Sequence, residues 1–109
     1  MNVRLYIWQR ATAALMVPLL LVHIAVIFYA TRKGLSASDI LARTRGSVSW
    51  TLFYGVFVAA VSVHASIGLR TVLTEWSPLG QRTRDIAVVL FGLLLALLGF
   101  RAVVAVVLP

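Results

Sequence analysis

Few side chains in this sequence are equipped for chemistry, and His64 stands first among them. It sits inside an uncharged stretch covering residues 48–69, where an ionisable group is costly to place and is a functional candidate for that reason. Ala60 lies one helical turn before it and Gly68 one turn after, so on a helix the ring borders a shallow trough. A flat macrocycle standing edge-on to a helix needs such room, and imidazole is a common axial ligand of haem iron. On the residues alone a plainer reading has equal weight: a neutral imidazole bonded across helices to a hydroxyl such as Ser62 or to a backbone carbonyl. The second histidine, His23, lies deeper. Measured from the same side, His64 is about 9 Å from Arg70 and His23 about 20 Å from Arg10. One iron does not reach both levels. His23 is therefore read as a neutral, hydrogen-bonded bundle histidine, and a haem held by His64 takes its second ligand from another chain.

Arg10 abuts Ala11, Thr12 and Ala13 at the mouth of the first apolar run. A guanidinium there suits a carboxylate such as a haem propionate, or the carbonyl of a quinone. Glu75 extends the stripe of Ala60, His64, Gly68 and Thr71, and with Arg10 and Arg70 it falls at one membrane face. Trp76 reads first as an interfacial aromatic, and otherwise as a wall for a flat ring with its indole N–H as donor. Arg82 and Arg84 read as interfacial anchors. No Ser-His-Asp set, paired acids, phosphate-cradling loop or metal cluster is present. With two His, one Glu and two Asp, the chain has little acid–base capacity alone. Electron transfer through a bound cofactor asks less of it.

The elements that must position these groups follow from composition. The chain has 109 residues, 61% hydrophobic and 12% charged, against about 45–50% and about 25% in ordinary soluble domains. So small a soluble body is mostly surface and has nowhere to bury that fraction. The net charge of +7 is distributed beside the apolar runs rather than gathered in a patch, which points to membrane flanks and away from nucleic acid. Without cysteine, the chain supplies no disulfide, thiolate or iron–sulfur ligand.

Three runs, residues 11–30, 48–69 and 86–108, each predict a transmembrane helix of about 30 Å, within one anchor domain over residues 1–109. The first run is too long for the apolar part of a signal peptide, and further spans follow it. Pro18 frees the Ala14 carbonyl, a defect tolerated in membrane helices. Arg101 lies about 22 Å along the third span from Ile86 and snorkels to the far interface. The polar segments 31–47 and 71–85 are expected as turn-containing connections. Flanking basic residues divide five against five between the two sides, so charge leaves the orientation open. Small residues form stripes at Gly55, Ala59, Ser62 and Ser66 and at Gly92, Ala96 and Gly99. Such faces admit close helix approach, and their number suggests packing into a larger assembly.

The stretches Arg10-Ala11-Thr12-Ala13, His64-Ala65-Ser66-Ile67-Gly68 and Val72-Leu73-Thr74-Glu75-Trp76, with the three-span layout, resemble the small, cytochrome b-type hydrophobic membrane anchor of succinate dehydrogenase, complex II. The resemblance extends over essentially the whole chain. It implies an all-α membrane protein that packs with a second, larger hydrophobic anchor subunit into a haem-binding bundle, beside an iron–sulfur subunit and a flavoprotein. It implies haem b as cofactor, with His64 one axial ligand of its iron and the other histidine supplied by the larger anchor. Quinone is implied as substrate, Arg10 lying near the haem propionates and quinone pocket. Glu75 matches the family's acid, usually Asp, and Trp76 replaces a Tyr that commonly bonds the quinone. An indole donates one N–H but has no hydroxyl. The implied place is a bacterial inner membrane, with the N-terminus and segment 71–85 on the cytoplasmic side. Fumarate reductase anchors share this architecture. The rival from another class is a small non-redox membrane protein, a holin-like pore former or an assembly factor, with His64 merely structural.

Overall fold

The computed structural model describes residues 3–108, which form four helices and no strand: α1 Val3–Lys33, α2 Ala37–Thr44, α3 Val48–Trp76 and α4 Gln81–Val107. Three of them, α1, α3 and α4, are long and apolar enough to cross a membrane. The body measures 48 × 23 × 23 Å, and its long axis matches a bilayer of about 40–45 Å including headgroups. This is an all-α, multi-pass membrane protein.

The helices overrun the apolar stretches. α1 begins eight residues before residue 11, α3 continues seven beyond residue 69, and α4 starts five before residue 86. These extra turns carry Arg4, Arg10, Arg70, Arg82 and Arg84. A helix ends where its backbone donors and acceptors find other partners, not where its side chains become polar. α1 passes through Pro18 unbroken and stops at Gly34, whose φ of +66° ends the helix while the Leu35 N–H bonds the Ala30 carbonyl at 3.0 Å. Only glycine adopts that conformation without steric cost.

Segment 31–47, expected as a plain connection, contains α2. Ser36 caps it in a reciprocal box: its Oγ accepts from the Asp39 N–H at 3.2 Å, and Asp39 accepts from the Ser36 N–H at 2.9 Å. The bond from the Ser36 N–H, and after it the Ser36 side chain, hold the Asp39 carboxyl below the usual carboxylate range, with Arg43 contributing in the same direction. At its far end, the Thr44 hydroxyl donates to the Val106 carbonyl at 2.6 Å and the Gly46 N–H to the Val107 carbonyl at 2.7 Å. Two carbonyls that end α4 without helical partners are thereby satisfied. Ser47 then caps α3.

α3 is the middle helix of an open layer. α1 packs on one flank and α4 on the other, while α1 and α4 share no substantial packing face. The buried side chains are small or medium: Thr12, Ala60, Ser62, Ile67, Val88, Val103 and Val107, with Thr44. Large ones such as Leu21, Phe28, Leu93 and Leu97 point outward, as expected where the surroundings are lipid or another apolar helix. The two small-residue stripes meet each other in part. A Cβ on Gly92 would strike Ser66 Oγ, and one on Gly99 would lie 2.5 Å from Val58 Cγ1. Ser62 and Ser66 therefore serve the α3–α4 contact within the chain, whereas Ala59 is exposed and Gly55 has open space beside it.

Candidate functional site

His64 lies on the face of α3 turned toward α1. Its Nδ1 is 3.3 Å from the Oγ1 of Thr12, which is only 6% exposed. That hydroxyl lies 2.8 Å from the Trp8 carbonyl and 3.1 Å from that of Gln9. A threonine hydroxyl has one proton and two acceptor lone pairs. With its proton directed at the carbonyls of its own preceding turn, Oγ1 accepts from Nδ1–H. Nε2 is then the ring nitrogen that Thr12 does not engage. Nε2 has no hydrogen-bond partner among the described residues and is not sealed inside the chain. The plainer reading of an imidazole bonded across helices to a hydroxyl is met by Thr12 and not by Ser62, whose hydroxyl donates to the Val58 carbonyl at 2.8 Å on the flank facing α4.

The trough beside the ring is bordered by α1. A Cβ on Gly68 would lie 3.6 Å from Gln9 Nε2, an ordinary contact distance, and Gln9 Oε1 is buried without a partner. Ala60, one turn on the other side of His64, is buried at 4% exposure. Gln9 and Thr12, three residues apart on α1, thus face Gly68 and His64 on α3. Neither polar residue of α1 stood out in the sequence. The signal was there, since they are one turn apart on the face that continues through Met16 and Leu19 into the span.

The other candidates occupy the same end of the layer but separate places. Arg10 falls about 160° around α1 from Thr12, and its guanidinium lies over the Tyr6 ring at 5.8 Å from the centroid. It points away from α3. Arg70 pairs with Asp85 across the α3–α4 turn. Glu75 lies three turns beyond His64 on nearly the same face of α3 and, with Arg70, Thr71 and Thr74, lines a recess of about 120 Å³. Trp76 is 83% exposed. Within this chain the structure brings His64, Thr12, Gln9 and Gly68 together, and it leaves Arg10, Glu75 and Trp76 at the periphery.

His23 shares the inward face of α1 but meets α3 farther along. Its ring stands edge-on to Tyr54 and Phe57, at centroid distances of 5.7 and 5.4 Å. Those residues precede His64 by ten and seven positions, so the two histidines differ in depth by about 10–15 Å. The hydrogen bond expected of His23 is missing at Nδ1, which is buried and has no partner. Aromatic edges surround the ring instead, beside a groove of about 440 Å³ bounded on its far side by Leu95, Leu98 and Gly99.

Among the described residues no group of three or more His, Asp or Glu side chains converges on a metal position. What the site offers is a single imidazole whose Nδ1 is held by Thr12 and whose Nε2 is not sealed inside the chain. A family model described as "Succinate dehydrogenase/Fumarate reductase transmembrane subunit" matches residues 1–100. Comparisons with curated proteins and with solved structures return no match.

Proposed function

The chain belongs to the succinate dehydrogenase/fumarate reductase transmembrane subunit family, and from that premise we propose that it anchors such a complex in a bacterial inner membrane while contributing His64 as one axial ligand of a b-type haem and part of a quinone site. The observation that carries this reading is the free Nε2 of a membrane-embedded imidazole whose Nδ1 is held by Thr12 at 3.3 Å. Ligating histidines commonly bond their other ring nitrogen to a polar partner, which fixes tautomer and ring orientation. The trough expected over Ala60 and Gly68 is covered by α1, with Gln9 against Gly68 and Ala60 buried, so room for the group lies beyond Nε2, which the chain does not seal. The residues present fit the group.

When bound, haem supplies one-electron redox chemistry. The chain's own residues hold and orient. His64 presents Nε2, Thr12 fixes the ring, and the second histidine comes from the larger anchor, since His23 lies at another depth. Arg10, exposed at the mouth of α1, offers N–H donors to a propionate or a quinone carbonyl from its outer face. Glu75 and Trp76 flank the same end of α3, where Trp76 presents a flat surface and one N–H donor. The N-terminus and the α3–α4 turn face the cytoplasm, toward the iron–sulfur and flavoprotein subunits. The chain has no activity by itself, and nothing in these residues sets the direction, succinate oxidation or fumarate reduction. Membership of this family displaces the holin-like and assembly-factor readings.

The test is the co-expressed complex with and without Arg10→Ala. Quinone reduction slows while succinate oxidation with an artificial acceptor persists. Normal rates in both assays remove Arg10 from the quinone site.

A further inference from the structure

We propose that Thr12 is a positioning residue for His64: its hydroxyl selects the imidazole tautomer and so decides which nitrogen, and how basic a nitrogen, faces the iron. The proposal rests on the reading of His64 as a haem ligand. Three observations carry it. The Thr12 side chain is 6% exposed, so bulk water does not replace its hydroxyl. Its proton is directed to the carbonyl groups of Trp8 and Gln9 at 2.8 and 3.1 Å, which leaves Oγ1 as an acceptor toward Nδ1. The contact comes from another helix, fifty-two positions away in sequence, so ring orientation depends on how α1 packs against α3.

The consequence is electronic as well as steric. An imidazole that donates from Nδ1–H to an oxygen gains electron density at Nε2, which favours the ferric over the ferrous state and lowers the midpoint potential. A hydroxyl already polarised by the Trp8 carbonyl is a moderate acceptor, weaker than the carboxylate that often fills this place. Without the hydroxyl, Nδ1–H loses the one acceptor it has among the described residues. The opposite tautomer, protonated on Nε2 and unable to ligate, then becomes competitive.

The experiment uses the complete complex, purified with all its subunits, carrying Thr12→Ser or Thr12→Ala. Both substitutions lose the same methyl group and they differ by the hydroxyl alone. Thr12→Ser retains haem and keeps the wild-type midpoint potential. Thr12→Ala raises the potential and weakens haem retention by about 10- to 100-fold, the range for lost partners of metal ligands. If Thr12→Ala does not assemble, Thr12→Val, which keeps the volume, takes its place against serine. Equal potentials and equal haem content across the pair overturn the positioning role. His64→Ala runs in parallel: haem lost there with an unchanged Thr12 pair refutes the proposal alone, whereas haem retained without His64 refutes the ligand reading and the proposal with it.

Discussion

Two glycines on one face of α4 lead to opposite expectations for the same substitution. Gly→Ala inside a helix gains about 1 kcal/mol from reduced backbone freedom, so any net loss measures what the new methyl meets. At Gly99 it meets Val58, with Cγ1 at 2.5 Å, Cγ2 at 3.0 Å and Cβ at 3.3 Å. A β-branched side chain in a helix is held near one χ1 rotamer, and turning it does not clear three atoms at once. Relief requires α4 to move outward, at the cost of overpacking, about 1–3 kcal/mol. At Gly92 the obstacle is Ser66 Oγ, with Cβ behind it at 3.5 Å. That hydroxyl can rotate, giving up its 2.6 Å bond to the Ser62 carbonyl at about 1 kcal/mol. Gly92→Ala is therefore expected to be nearly neutral, and Gly99→Ala to destabilise the α3–α4 contact by up to about 2 kcal/mol. Thermal unfolding of the detergent-solubilised complex, followed by loss of helicity, ranks the two. A Gly92→Ala variant less stable than Gly99→Ala refutes the packing argument.

Three further outcomes follow from local contacts. The Arg70–Asp85 pair joins α3 to α4 with side chains 30% and 43% exposed, so a double-mutant cycle with Arg70→Gln and Asp85→Asn should return less than about 1 kcal/mol of coupling, weaker in high salt. Asp39 has its pKa depressed below 3.8 by the Ser36 capping bonds. Its contribution to α2 is thus complete above the unfolded-state value and lost as pH falls through the folded-state one. Amide protection across residues 37–44, taken relative to the intrinsic exchange rate at each pH, should be full above the ordinary Asp range and fall as pH drops through the lowered folded-state value, and Ser36→Ala should weaken it throughout. Thr44→Val removes the 2.6 Å bond to the Val106 carbonyl and should release the end of α4, read as faster exchange or proteolysis around residues 104–108.

The spans were legible because about twenty uncharged apolar residues in a row have few homes outside a bilayer. Their ends were not, since Arg10 and Arg70 lie within helices that continue past the hydrocarbon boundary. α2 escaped notice although Ser36 and Asp39 spell its capping box, because eight residues of mixed polarity resemble a connection in composition. The stripes at Ser62, Ser66, Gly92 and Gly99 were visible as surfaces awaiting partners, but that they partner one another depends on the turn at residues 77–80. His64 could be singled out from chemistry alone. Thr12 could not, because a threonine in a membrane helix usually bonds its own preceding turn. This one does so as well, and its tertiary bond depends on which way α1 rotates. The same rotation turns Arg10 away from His64, although the two occupy the same end of the layer.

The measurement that bears most directly on the account is a reduced-minus-oxidised optical spectrum of membranes containing the full complex, with His64 intact and with His64→Ala. The intact chain should give a b-type haem signal, and the substitution should abolish or strongly diminish it while the anchor still assembles. A b-type signal of unchanged height and position in the His64→Ala complex would contradict the assignment of this imidazole to the iron.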